Sequence, residues 1–245
     1  MSALILVKAE LYKQKKGIIW WLAIGAPLMV AVMMLLDVGF RYDYLMGRGQ
    51  KAGLDSWGVL IQEMMYMWAT FCPMGITLLA AIVHYREFSE NGWKHLLSLP
   101  VKRWKVYVAK WLVILLFTYF AIFVLNVGLF VVGKVLHFPE PFNLLLYGRY
   151  AGYQALGVLG IVGFQHWLSS RFKNVMIPIA IGVALSICVM FLAQSEMLSF
   201  FPHVAILYSI PFEDVAHNRP VLGGMIGGAV LLFLGMWEFQ KRDIV

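Results

Sequence analysis

Charged residues are scarce in this sequence of 245 residues. Asp, Glu, Lys and Arg make up 13% of it and hydrophobic residues 61%, against about 25% and about 45–50% in an average soluble domain. This balance excludes a water-soluble protein. Cysteine is also scarce: Cys72 and Cys188 are the only 2, and both lie in apolar runs where a thiol behaves as a small hydrophobe. A disulfide framework is therefore excluded.

Sequence motifs for catalysis and nucleotide binding are missing as well. The chain contains no G-x-x-x-x-G-K-[ST], so it has no P-loop with which to hold ATP. It also has no H-E-x-x-H, no G-x-S-x-G and no cluster of Cys and His at metal-ligand spacing. We therefore expect no catalytic residues, no metal site and no cofactor bound by this chain, and we interpret it as a protein that is not an enzyme.

Long charge-free runs are what the sequence has in abundance. A bilayer core of about 30 Å is crossed by about 20 apolar residues in a helix, and six such runs follow one another without a polar, domain-sized block between them. We therefore predict an all-α, polytopic membrane fold in which residues 1–245 form a single transmembrane domain. The six predicted spans are residues 17–36, 64–83, 111–133, 150–170, 174–195 and 220–237.

The basic residues lie mainly in alternate loops. Of the 20 Lys and Arg, 14 fall in the N-terminal segment, the loops at 84–110 and 171–173, and the C-terminus. Cytoplasmic loops carry such an excess of basic residues, so we predict that both termini are cytoplasmic. The same distribution accounts for the net charge of +7 without nucleic acid as a partner.

The N-terminal segment, residues 1–16, is predicted to lie on the membrane surface. It interleaves apolar residues with lysines, which is typical of an interfacial amphipathic helix in contact with membrane lipid. The alternative is a basic tail that only directs topology. The lysines concerned are Lys8, Lys13, Lys15 and Lys16.

The cytoplasmic segment 84–110 has the pattern of two short helices. Trp93, Leu96 and Leu97 have helical spacing, and Pro100 can end that helix and begin another. Such a feature is rigid enough to transmit a push from a soluble partner. The alternative is a positively charged loop that lies passively on anionic lipid.

The predicted extracellular segment 196–219 contains an uncharged run, residues 197–212, that is short for a span. Pro202 and Pro211 interrupt this run. Because unsatisfied backbone in lipid is costly, we predict a re-entrant hairpin. The alternative is that the fifth span simply continues into a hydrophobic loop.

Polar side chains inside the predicted spans are candidates for a substrate pathway, because at membrane depth they usually face a bundle interior or a wet cavity. Hydrogen bonding between helices, without any contact to cargo, is the alternative. No predicted span has Asp, Glu, Lys or Arg away from its ends, which argues against an ion-coupled carrier. The pathway candidates are Tyr119, Asn126, Gln154, Gln165 and His166.

The last predicted span carries glycines at G-x-x-x-G spacing, which permits close helix approach in a dimer or within the chain. These glycines are Gly223, Gly224, Gly227 and Gly228.

The segment from Glu87 to Arg103 resembles the cytoplasmic coupling segment of type-2 ABC exporter permeases. In that family an acidic residue and a glycine precede a Leu-Leu-Ser-x-Pro stretch and a basic residue. The six spans, the basic N-terminus and the proline-broken hairpin are similar as well. The variant Gly92-Trp93 resembles the bacterial subgroup of lantibiotic-immunity and bacitracin-resistance permeases. The residues matched to ATPase coupling are Glu87, Glu90, Asn91, Gly92, Trp93, Lys94, Leu96, Leu97, Pro100 and Arg103.

The resemblance implies a permease subunit in a bacterial plasma membrane. It implies a soluble ABC ATPase as partner, which would use ATP and Mg, and a second permease chain, identical or related. The implied cargo is an amphipathic antimicrobial peptide or a lipid-like molecule. A non-transporting scaffold or sensor subunit remains an alternative, as does an intramembrane enzyme, for which convergent catalytic groups are lacking.

Overall fold

The structure, a computed structural model, describes residues 3–89, 93, 101–212 and 221–241. Within these ranges every regular element is helical, as predicted. Short 3-10 helices lie at Leu198–Phe200 and Pro202–Ile206, and a π-helical turn lies at Leu222–Ile226. The α-helices are α1 Ala3–Lys13, α2 Ile18–Phe40, α3 Tyr42–Lys51, α4 Ser56–Ser89, α5 Arg103–Val135, α6 Leu144–Arg171, α7 Met176–Ile187, α8 Val189–Ala193 and α9 Gly227–Lys241.

Four helical stretches in the described part of the chain are long and apolar enough to cross a membrane. They are α2, α4, α5 and the stretch Leu222–Lys241, which joins the π turn to α9. Each of these four stretches overlaps a predicted span. The helix α6 is not among the four, and the predicted fifth span is divided into α7 and α8 at Cys188. The count of six spans therefore stays a prediction.

The helix ends differ from the predicted ends around the segment 84–110. The helix α4 continues to Ser89, and α5 begins at Arg103, so both ends of the predicted loop are helical. A boundary drawn at the first charged residue stops too early here, because the side chains of Glu87 and Lys110 are buried and paired with each other. The polar helix α3 lies between the first two spans, and hydropathy does not predict it.

The helix α4 lies at the centre of the bundle. Of its 18 most apolar consecutive residues, 56% are buried, against 33% for α2 and 22% for the last stretch. The helix packs against α2, α5, α6 and α7. At one end the fully buried ring of Trp57 fills the core, and its Nε1 donates to the carbonyl oxygen of Glu140 at 3.1 Å. A Cβ atom on Gly133 would overlap this ring, so the glycine creates the space for Trp57.

Three glycines on one face of α6, Gly157, Gly160 and Gly163, form what we call the glycine strip. A Cβ atom on Gly160 would lie 3.0 Å from both the carbonyl oxygen of Gly223 and the Cβ of Pro202. The strip is therefore where the last helical stretch and the segment before it approach α6. Small residues allow such close contact between helix backbones in membranes.

The segment that contains the two 3-10 helices folds back against α6. Its residues His203 to Ile206 are buried, and the hydroxyl of Ser209 donates to the carbonyl oxygens of Ala205 at 2.9 Å and Tyr153 at 3.3 Å. The predicted hairpin thus includes a folded-back, well-packed stretch. Whether this stretch enters the bilayer stays a prediction.

Candidate functional site

Four charged side chains form a closed, largely buried ring, which we call the ion cluster: Glu10, Lys13, Glu87 and Lys110. Lys110 Nζ lies 2.7 Å from Glu10 Oε2 and 2.9 Å from Glu87 Oε1. Lys13 Nζ lies 2.8 Å from Glu10 Oε1 and 2.7 Å from Glu87 Oε1. The Lys110 side chain is 0% exposed and both carboxylates are 5% exposed or less. Two positive and two negative charges therefore neutralise each other, with three of the side chains buried and that of Lys13 34% exposed.

The helix α1 contributes to the ion cluster through its polar face. Leu6, Glu10 and Gln14 are four residues apart, so they lie on one side of the helix, and all three are buried where α1 packs on α5. Burial alone would lower the pKa of Lys13, but the carboxylates of Glu10 and Glu87 raise it above the ordinary lysine value. The lysine is therefore held in its charged form.

The exposed side of α1 carries apolar and basic residues, among them Ile5, Lys8 and Tyr12. The tyrosine is 74% exposed. A helix that buries polar residues and exposes apolar ones suits a membrane surface rather than water. The position of α1 on the membrane surface, predicted for residues 1–16, stays a prediction.

Trp93 joins the predicted coupling segment to the bundle. The tryptophan is 4% exposed, and its ring centroid lies 5.3 Å from that of Phe239 on α9 and 5.7 Å from that of Phe88 on α4. Lys110 Nζ lies 5.5 Å from the same ring, within the range of a cation–π contact. One aromatic side chain therefore connects the segment to two helices and to the ion cluster.

The structure gives the other predicted coupling residues different surroundings. Glu87 points into the ion cluster, where its carboxylate pairs with Lys13 and Lys110. Arg103 Nη1 donates to the carbonyl oxygen of Gln240 at 3.5 Å, which connects the start of α5 to the end of α9. Seven predicted coupling residues lie outside the described part of the chain: Glu90, Asn91, Gly92, Lys94, Leu96, Leu97 and Pro100.

A pair of buried histidines lies next to Trp93. His84 Nε2 and His166 Nδ1 are 3.0 Å apart, and the His84 ring lies 6.1 Å from that of Trp93. The ring of Tyr107 lies 4.1 Å from that of His166. The sequence predicts His166 as a pathway residue. It does not predict His84, which is the first residue of the predicted loop at 84–110. The separation of 82 positions gives no local sequence signal for the pair.

The other pathway candidates on α6 are buried between helices. Trp68 Nε1 donates to Gln154 Oε1 at 3.0 Å, which is the interhelical hydrogen bond that the alternative interpretation predicts. Gln165 is fully buried, and its carboxamide has no hydrogen-bond partner among the described residues. It lies against Thr77 of α4 and Gly182 of α7, where a Cβ atom on the glycine would overlap both side chains.

The two pathway candidates on α5 differ in their contacts. Tyr119 donates to the carbonyl oxygen of Ala155 at 3.2 Å, and Asn126 Nδ2 donates to that of Ile122 at 2.8 Å. Asn126 lines an apolar groove of about 300 Å³ between α5 and the start of α6. The structure therefore does not gather the five candidates into one site.

The predicted glycines of the last span differ in what they contact. Cβ atoms on Gly224 and Gly228 would collide with the backbone of α6 at Leu156 and Leu159, so these two glycines serve packing within the chain. Gly223 is buried beside the carbonyl oxygen of Phe200. Among the described residues, only Pro202 lies near Gly227, at 3.9 Å from a Cβ atom in its place.

Comparison with known proteins identifies one family. Residues 6–191 match the sequence profile described as ABC-2 family transporter protein. No similar protein was found among curated sequences. Within the described ranges, no three His, Cys, Asp or Glu side chains are grouped as metal ligands would be.

Proposed function

The chain belongs to the ABC-2 family of transporter proteins, and on this premise we propose that it is the permease subunit of an ATP-driven exporter in a bacterial plasma membrane. The observation that carries the proposal is the family match, which covers residues 6–191 and includes the segment between α4 and α5. Energy would come from a separate ABC ATPase, since the sequence contains no P-loop.

The ATPase would dock from the cytoplasm on the segment between Ser89 and Arg103. This segment is continuous with two long helices, α4 and α5, and Trp93 attaches it to α9. A push on the segment would therefore reach three helices of the bundle. In this proposal α6 and the pair α7 and α8 complete six crossings, both termini are cytoplasmic, and two permease chains assemble around one pathway.

The cargo would be an amphipathic peptide or a lipid-like molecule taken from the membrane, as in self-protection against antimicrobial peptides. Two open grooves support a cargo of this kind. One, of about 260 Å³, lies between α2 and α5 and is lined by apolar side chains; the other holds Asn126 at its edge. Apolar walls with few polar groups suit an amphipathic ligand.

The experiment that tests docking co-expresses the chain with a candidate soluble ABC ATPase and recovers the complex through a tag on the permease. The double substitution Glu90→Lys with Gly92→Pro should abolish recovery of the ATPase while the permease still inserts. The matched control is Asp43→Lys, a charge reversal on the exposed surface of α3, which should leave recovery unchanged. Recovery of the ATPase at wild-type yield with the double variant would contradict the proposed docking site.

Transport is tested separately with the complex in vesicles. Addition of a cationic amphipathic peptide should raise ATP hydrolysis and move the peptide across the bilayer. An ATPase that binds the permease but never responds to peptide or lipid would favour the sensor alternative instead.

A further inference from the structure

The ion cluster holds more buried charge than packing requires. Each of the two glutamates has a carboxylate oxygen within 2.9 Å of the ammonium nitrogen of each lysine. Apolar residues of similar volume at such positions often give equal or greater stability. A cluster of this kind has its best-attested value in fixing one arrangement of the elements that contribute to it. The elements that it fixes here are those that Lys110 contacts.

The ammonium group of Lys110 contacts three other segments at once. From α5 it reaches Glu10 on α1, Glu87 near the end of α4, and the ring of Trp93 in the coupling segment. A lysine ammonium has three N–H donors and no acceptor, so one fully buried group can satisfy several acceptors in different elements.

We propose that Lys110 is a positioning residue, which holds the coupling segment and the N-terminal helix α1 together so that they move as one body when the ATPase acts. This inference rests on the proposed function. It changes the role of Glu87, which acts through Lys110 and not by touching the ATPase. It also makes α1 part of the moving machinery, although α1 lies outside the predicted spans.

The electrostatics of the ion cluster favour a rigid connection over a sliding one. Coulomb attraction is strong at low dielectric, and any carboxylate left alone is costly to bury. Each carboxylate of the ring contacts both ammonium groups. Displacement of α1 by itself would therefore break the contacts Glu10–Lys110 and Lys13–Glu87 and leave Lys110 short of one counter-charge.

The test uses the permease in complex with its ATPase, reconstituted in vesicles. The main variant is the triple substitution Glu10→Gln, Glu87→Gln and Lys110→Met, which removes the connection; the ammonium group of Lys13, whose side chain is 34% exposed, can still be hydrated. The matched control is Lys134→Met, the same change near the other end of the same helix, where Nζ lies over Phe130. The readouts are ATPase recovery, melting temperature, cargo moved per ATP, and amide hydrogen exchange of residues 3–13.

The triple variant should retain the ATPase to within about twofold and lower the cargo moved per ATP about tenfold, while exchange in α1 rises about tenfold; a tenfold change corresponds to about 1.4 kcal/mol. The control should match the wild type in all four readouts. A triple variant with wild-type cargo per ATP would overturn the proposal, as would a large fall in melting temperature that accounts for the lost transport. Failure of the wild-type chain to bind any ATPase would instead overturn the proposed function.

Discussion

Gly224 provides a sharp test of the contact between the last helical stretch and α6. A Cβ atom there would lie 2.7 Å from the carbonyl carbon of Leu156 and 2.9 Å from the Cα of Gly157. Carbon atoms pack best at about 3.5–4.0 Å, so Gly224→Ala must separate the two backbones by about 0.8 Å or more. Neither backbone can rotate out of the way as a side chain could. The contact along the glycine strip therefore has to open.

Overpacking of this kind costs about 1–3 kcal/mol, and the backbone contact places Gly224→Ala at the upper end of that range. In a chain of this length about 3 kcal/mol corresponds to a melting temperature about 6–12 °C lower. The assay is thermal unfolding of the detergent-purified permease, followed by the loss of the monodisperse peak in size-exclusion chromatography.

The matched control is Gly227→Ala, three residues further along the same stretch. Of the residues that the structure describes, its added Cβ would meet Pro202 alone, at 3.9 Å, which is ordinary van der Waals contact. We expect its melting temperature to equal or slightly exceed that of the wild type, because alanine is the better helix former. Equal melting temperatures for Gly224→Ala and Gly227→Ala would refute the close approach of the two backbones.

Two further predictions concern single polar contacts. Trp68→Phe removes the donor to Gln154 and leaves a buried carboxamide without its partner, which should destabilise the permease by about 1–3 kcal/mol, whereas Trp21→Phe, at an 80% exposed position, should have no measurable effect on the melting temperature; equal effects of the two would contradict the hydrogen bond. Lys13→Gln should lower the melting temperature by the same amount from about pH 6 to about pH 9, because a raised lysine pKa keeps its contribution intact below the unfolded value, to be lost only at higher pH as the folded pKa is passed. A difference that fades between neutral pH and about pH 8 would show that the ammonium of Lys13 loses its proton far too easily for the ion cluster described.

The sequence predicted the helical class and the location of the most apolar helices because hydrophobic run length directly reflects bilayer thickness. It could not locate the ion cluster, because charges normally mark the end of a span. Lys110 and Glu87 are 23 positions apart, and Glu10 is a further 77 positions before Glu87. Only tertiary packing brings them together, and it also lets α4 and α5 extend past the predicted ends.

The candidate pathway was harder to predict than the spans. A polar residue in an apolar run indicates that it avoids lipid, but it does not indicate which helix it faces. Gln154 is paired with Trp68, Gln165 is buried beside Gly182, and Asn126 lines an outer groove. The break at Cys188 carries neither proline nor glycine, so it has no local sequence signal.

The glycine strip on α6 serves two neighbours at once. Gly160 lies against Pro202 of the folded-back segment and against Gly223 of the last helical stretch. The two neighbours also contact each other, so a shift of either one along the glycine strip would disturb the packing of the other. A tilt of the last helical stretch away from α6 would therefore also loosen the folded-back segment.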